Sequence, residues 1–200
     1  MIRIFYKDMF QHMAGRVAII FYPFYRIRYL GKNDLLLNLG CGKNKIPDYI
    51  NIDVYPHRLP DVWMDIRYKF PFSDGSVKFI KLRYIAEHLD LHDLKKVLKE
   101  SLRTLKKGGK VEIIVPDLEN AISVYSNPKP KPGEYNGTIP NEYKGLKSRG
   151  ALFNTMTLYD SQHKIMFDYE FLKEVLKYVG FSKVRRKISI KRRLLVEAEK

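Results

Sequence analysis

Three short stretches of the chain carry residue types that, at their spacing, could bind a nucleoside. Gly40-Cys41-Gly42 follows the apolar run Leu35 to Leu39. Two glycines there let the backbone turn sharply and let a ligand approach with no Cβ in the way. Asp53 stands 13 residues after Gly40, near the end of Tyr49 to Val54. A carboxylate so placed can accept hydrogen bonds from both hydroxyls of a ribose. Asp65 sits near the end of Asp61 to Ile66 and could accept from an adenine amino group. Each of the three also has a plain structural reading as a turn or loop cap. Together, at three successive segment ends, they favour one nucleoside site. The step from glycines to acid is shorter than the roughly 20 residues of a dinucleotide fingerprint. Lys43 to Asp48 is therefore too short for a full helix.

These residues need strands to hold them. Leu35 to Leu39 (LLLNL) reads as a strand buried on both faces, as in a parallel sheet. Tyr49 to Val54, Asp61 to Ile66, Val77 to Leu82 and Lys110 to Val115 follow as further strands. Leu91 to Leu105 is an amphipathic helix, with Asp90 to cap it and Gly108-Gly109 to stop it. Tyr169 to Val179 is another, stopped by Gly180. Ser182 to Ile190 and Leu194 to Ala198 should pair as an antiparallel hairpin. The pattern predicts an α/β fold: a Rossmann-like, open, mostly parallel sheet with a C-terminal antiparallel hairpin and helices on both faces. Ligands of such sheets bind beyond the carboxyl ends of the strands, which adds Arg83-Tyr84 and Pro116-Asp117 to the candidate site.

Composition narrows the class. Two hundred residues with 45% hydrophobic and 30% charged suit one globular domain. Cys41 is the single cysteine, so neither a disulfide framework nor a multi-cysteine zinc site is available, and a reducing, cytoplasmic setting is expected. No His/Cys/carboxylate cluster stands at metal-ligand spacing, so no metal is expected. The net charge is +15, concentrated at the ends: residues 1–33 carry six bases and one acid, residues 183–200 eight bases and two acids. We divide the chain into a basic, aromatic N-terminal extension, 1–33, and a domain, 34–200. Ile2 to Phe21 reads as an amphipathic helix that Pro23 ends or kinks. Its apolar run, Val17 to Tyr25, is nine residues long, against the about 20 that a membrane span needs. Asn127 to Lys147 holds four prolines and reads as a loop.

The ordered motifs resemble those of class I S-adenosylmethionine-dependent methyltransferases, in particular small type 11-like members with a curtailed first helix. They are Asn38-Leu39-Gly40-Cys41-Gly42, Ile52-Asp53, Asp65, Pro71-Phe72-Ser73-Asp74-Gly75-Ser76-Val77, Glu87-His88-Leu89, Leu105-Lys106-Lys107-Gly108-Gly109 and Val115-Pro116-Asp117. The segment His163 to Phe181 and the last hairpin fit that family's final helix and strands, so the likeness covers about residues 34–200. It implies S-adenosylmethionine as cofactor. Asn38 to Gly42 would pass beneath its methionine part, Asp53 and Val54 would hold the ribose, and Asp65 and Ile66 would flank the adenine. Arg83 and Tyr84 would border the sulfonium. Two positions depart from the pattern: Asn38 replaces the usual acid, and Asn44 the usual third glycine.

The resemblance implies methyl transfer by in-line displacement, with alignment as the main source of rate. An oxygen acceptor also loses a proton, for which His88, Asp117 and His163 are the candidates. Each also has a structural reading, as a helix cap or a packed turn. No Asn-Pro-Pro-aromatic run follows the fourth strand, which disfavours methylation of an exocyclic base amine. The acceptor classes left are small molecules, sugars and lipid-linked compounds, with RNA as the alternative and a non-enzymatic nucleoside binder as a second. Tyr125, Tyr135, Tyr143 and Tyr159 could stack on a ring; Lys129, Lys131, Lys144, Lys147 and Arg149 could hold phosphate. The aromatic N-terminal helix fits either peripheral contact with the inner membrane surface or a lid packed over the cofactor or against a second subunit.

Overall fold

The computed structural model describes residues 9, 13–127, 148–158, 162–187 and 193–200. Seven strands form one sheet: β1 (Leu35–Leu39), β2 (Ile50–Asp53), β3 (Val62–Trp63), β4 (Val77–Arg83), β5 (Leu105–Pro116), β6 (Ser182–Arg186) and β7 (Arg193–Glu199). Their order is β3-β2-β1-β4-β5-β7-β6. The first five run parallel, and β7 lies antiparallel to both β5 and β6. Strand order reverses between β1 and β4, so the crevice beyond their carboxyl ends is the expected ligand position.

Apolar residues on both faces explain why β1 is central. Leu37 and Leu39 have no exposed surface, and Ile52, Ile80, Leu82, Ile113 and Val115 on the neighbouring strands match them. Helices cover the faces: α1 (Tyr22–Arg28), α2 (Leu91–Thr104), α3 (Leu118–Ser126), α4 (Arg149–Thr157) and α5 (Tyr169–Val179). The stripe Leu94, Val97, Leu98 buries one side of α2, and Leu172, Val175, Leu176 one side of α5. Asp90 and Asp168 cap these helices, each accepting a backbone N–H three residues on. Arg103 ties α2 to the Pro71–Ser76 turn by donating to the carbonyls of Phe70 and Phe72.

Two sequence expectations change. Pro23 does not end a helix. Helical backbone over 13–18 passes through a 3₁₀ turn, Ile19–Phe21, into α1, where Pro23 occupies the second position. A proline in the first helical turn removes no hydrogen bond, since that N–H has no partner within the helix. The second change is α4, a helix where the sequence reading gave no element. Tyr135, Tyr143, Tyr159, Lys129, Lys131, Lys144 and Lys147 lie outside the described residues.

Candidate functional site

The glycine bend leaves β1 in the left-handed region, with φ of +65° at Gly40 and +52° at Gly42. The two glycines serve different ends. A Cβ on Gly40 would lie 2.6 Å from Ile85 Cγ1, whereas one on Gly42 would meet nothing within 4 Å. Gly40 thus lets the segment after β4 pack against the bend, and Gly42 leaves open space above the backbone. Cys41 N–H donates to the Ile52 carbonyl at 2.9 Å and fixes the bend to β2.

Asp53 completes this corner. Oδ2 accepts the Gly42 N–H at 2.7 Å and Oδ1 the Tyr55 N–H at 2.9 Å. A carboxylate offers about four lone-pair directions, so two remain to take hydroxyl donors. Val54, next along, accepts the Trp63 indole N–H. Asn38 is buried, and its amide donates to the Asn44 carbonyl and to Asn51 Oδ1. Asn51 in turn donates to the carbonyls of Ile46 and Tyr49. Two asparagines thereby hold the short Lys43–Asp48 connection that replaces a helix.

Asp65 is buried at the next strand end but is strongly engaged. Oδ1 accepts the backbone N–H and Nε of Arg67, and Oδ2 accepts Nε and, at 2.6 Å, the terminal nitrogen. An adenine amino group would have to compete with this guanidinium. Gly15 of the N-terminal helix packs on the same carboxylate, since a Cβ there would be 2.9 Å from Asp65 Cβ and Oδ2. Tyr25 Oη accepts the Trp63 N–H, and Phe21 packs on the Trp63 ring. Ile66 is buried beside them. The N-terminal helix is thus seated on the β2–β3 side of the domain.

At the end of β4, Tyr84 holds a φ of +55°, rare for a residue with a Cβ. Its N–H donates to the Ile114 carbonyl, and the guanidinium groups of Arg83 and Arg193 lie over its ring. Burial pushes the phenol above its ordinary range. Strain of this kind costs on the order of 1–3 kcal/mol and gathers at functional sites.

The three proton-acceptor candidates part company. Asp117 caps α3 through the Glu119 N–H and forms an ion pair with Arg186 at 2.8 Å. It is occupied as a structural group. His88 and His163 meet, with ring centroids 5.1 Å apart. Each directs Nδ1 at a backbone carbonyl, Gln162 at 3.0 Å and Thr157 at 3.1 Å. Burial, then the neighbouring His88, pulls His163 down to about 4 and keeps it neutral. Glu87 joins them, and one ligand atom from each of Glu87, His88 and His163 lies within 4.8 Å of the others. The sequence expectation of no such cluster is corrected to this extent: three potential ligands meet, and the 74 residues between His88 and His163 hide them from sequence spacing. Glu87 is 1% exposed, and burial pushes its carboxyl up to about 8. The sequence offered one signal, its place in the Glu87-His88-Leu89 motif. Nothing in the sequence marked Arg67 or Arg186 as partners.

Cys41 is buried beneath the bend. Burial, reinforced by the Asp53 charge, pushes its thiol up to about 11. At neutral pH such a thiol carries on the order of 100-fold less thiolate than an ordinary one. Iodoacetamide should therefore label native Cys41 at least about 30-fold more slowly than it labels the urea-unfolded chain. Equal rates would show that the bend is not closed as described.

Residues 37–113 match the family model of the methyltransferase domain. The fold is similar to that of a SAM-dependent methyltransferase from Archaeoglobus fulgidus, 16% identical, with a TM-score of 0.56 and 99% of each chain covered. A SAM-dependent methyltransferase from Thermotoga maritima, 14% identical, gives 0.52 over 98% of this chain and 96% of that one. A chain from a complex of a Haloferax volcanii methyltransferase with its methyltransferase activator, 15% identical, gives 0.53 over 96% of both. No curated protein matches in sequence.

Proposed function

We propose that the chain is an S-adenosylmethionine-dependent methyltransferase, as the methyltransferase-domain match over residues 37–113 and the fold support, and that it methylates an oxygen or nitrogen of a small-molecule or sugar acceptor carried on a lipid, at an anionic membrane surface. When bound, the cofactor supplies a methyl group on a positively charged sulfur. The residues described fit it. The open space over Gly42 would receive its methionine part, and the two remaining lone-pair directions of Asp53 would take the ribose hydroxyls. The turn around Arg83 and Tyr84 would border the sulfonium, and acceptor proton removal falls to the His88–His163 side.

The observation that carries the lipid-surface reading is the outward face of the N-terminal helix. Ile20 and Ile27 are each 74% exposed, and Met13, Val17, Ile19, Phe21, Phe24 and Leu30 are exposed with them. Buried Ala14 and Ala18, with Gly15 on Asp65, anchor the other side. Arg16, Arg26 and Arg28 lie along the same stretch. An apolar face edged with arginine suits the boundary between anionic headgroups and acyl chains. Among the described residues, no helix is long and apolar enough to cross a membrane.

Two measurements test this. Sedimentation should show the protein bound to phosphatidylglycerol-containing vesicles and not to pure phosphatidylcholine, with Ile20→Glu/Ile27→Glu weakening binding at least about tenfold. Label from methyl-tritiated S-adenosylmethionine should enter the organic phase of a cell extract. Label in RNA instead, with binding that collapses steeply as salt rises, would overturn the proposal in favour of an RNA acceptor. Absence of vesicle binding would overturn the membrane seating.

A further inference from the structure

Glu87, His88 and His163 present a chemical puzzle that the placement of the cofactor does not solve. His88 and His163 each point Nδ1 at a backbone carbonyl. A carbonyl only accepts, so each Nδ1 carries the proton and each Nε2 carries a lone pair. Glu87 adds a carboxylate. Its Oε2 is buried and has no hydrogen-bond partner among the described residues. One ligand atom from each of the three residues lies within 4.8 Å of the others, with Glu87 buried and the two histidines half-buried. Buried polar groups are almost always paired, and an unpaired carboxylate oxygen asks for an ion or a proton.

We propose that Glu87, His88 and His163 form a binding site for a divalent transition-metal ion of the zinc, iron(II) or manganese class. Two imidazole nitrogens and one carboxylate oxygen are a ligand set for such ions rather than for magnesium or calcium, which prefer oxygen throughout. Three protein ligands also leave coordination positions open. The backbone carbonyls of Gln162 and Thr157 do for these imidazoles what outer partners do in known metal sites: they fix the tautomer and the ring direction. The cluster is also braced through its main chain. The Glu87 carbonyl accepts the Lys164 N–H at 2.7 Å and the Ile165 N–H at 3.3 Å, which ties the His163 segment to the turn that follows β4. An ion would draw the three side chains inward from their present spread to ligand distances of about 2.0–2.2 Å.

The site lies next to the chemistry. Ile85, two residues before Glu87, is the side chain packed on Gly40. The ion would therefore sit in the turn beyond the glycine bend, on the side assigned above to proton removal. There it could bind an acceptor oxygen and favour its deprotonated form. The ligand geometry stands independently of whether the acceptor is lipid-linked.

The test uses the full-length protein, stripped with chelator and dialysed. Cobalt(II) titration should give visible d–d absorption saturating at one equivalent, and calorimetry should show competition by zinc. Glu87→Gln and His163→Ala should each weaken cobalt binding at least about tenfold. Asp117→Asn, an acid outside the cluster, should leave it unchanged. S-adenosylmethionine titration of each variant confirms that the domain is folded and separates loss of this site from failure of the cofactor assignment. Absence of a one-equivalent cobalt signal in the native chain, or cobalt binding equal to native in a folded Glu87→Gln protein, would overturn the site and leave a proton as the partner of Glu87.

Discussion

Asp53→Ala should lower the affinity for S-adenosylmethionine by about 100-fold or more, read by calorimetric titration. In the proposed site the carboxylate accepts from two ribose hydroxyls, and hydrogen bonds to a charged acceptor are worth roughly 1.5–3 kcal/mol each. A second loss adds to this. The same carboxylate accepts the Gly42 and Tyr55 N–H groups, so its removal frees the bend that shapes the pocket floor. Thermal melting should therefore fall as well, by an amount corresponding to about 1–3 kcal/mol for donors left without their acceptor. Asp53→Asn keeps one acceptor oxygen and should be intermediate on both counts. NADH, whose binding corner expects a longer glycine fingerprint, should bind neither protein. A loss of affinity below threefold in a folded Asp53→Ala protein would remove the ribose assignment.

The second large effect separates two glycines two residues apart. Gly40→Ala should destabilise the domain by about 2–4 kcal/mol in a denaturant melt. A left-handed φ costs a residue with a Cβ about 1–2 kcal/mol. The new methyl would also stand 2.6 Å from Ile85 Cγ1 and 2.7 Å from Cδ1, so the side chain or the backbone must move. Ile85→Ala in the same chain should recover part of the loss, with a coupling on the order of 1–2 kcal/mol. Gly42→Ala should behave differently. Its Cβ meets no protein atom, so only the backbone term remains. Its main effect should be on cofactor titration, because the methyl enters the space reserved for the ligand. Equal stability losses for the two variants, with no rescue by Ile85→Ala, would contradict the division of labour between these glycines.

Much of this site could be read along the chain. The strand-bend-strand-acid sequence Leu35 to Asp53 is local, and periodicity with turn chemistry sufficed to place both glycines and the acid at neighbouring strand ends. The cap Asp90, the stripe of α2 and the Gly180 stop of α5 were legible for the same reason: each depends on residues within one or two turns. Asp65 shows where such reading fails. Its position was visible, but its partner Arg67 and the Gly15 contact were not, because a carboxylate looks the same in sequence whether it faces a ligand or a guanidinium. Asp117 repeats the lesson through Arg186, which lies 69 residues away on β6.

The sequence by itself determined the architecture and the glycine bend with Asp53 beside it. Hydrophobic period, glycine placement and helix capping are short-range constraints, and a run such as Leu35–Leu39 can be satisfied only in the middle of a sheet. The tertiary structure alone decided which titratable groups meet. Backbone bonds from Lys164 and Ile165 to the Glu87 carbonyl bring the His163 segment against the turn after β4, turning two separate histidines and a motif glutamate into one cluster. It also decided which face of the N-terminal helix is buried against Asp65 and Trp63 and which faces outward. Contacts of that kind are fixed by burial and by the folding of distant segments onto one another, and no local pattern records them.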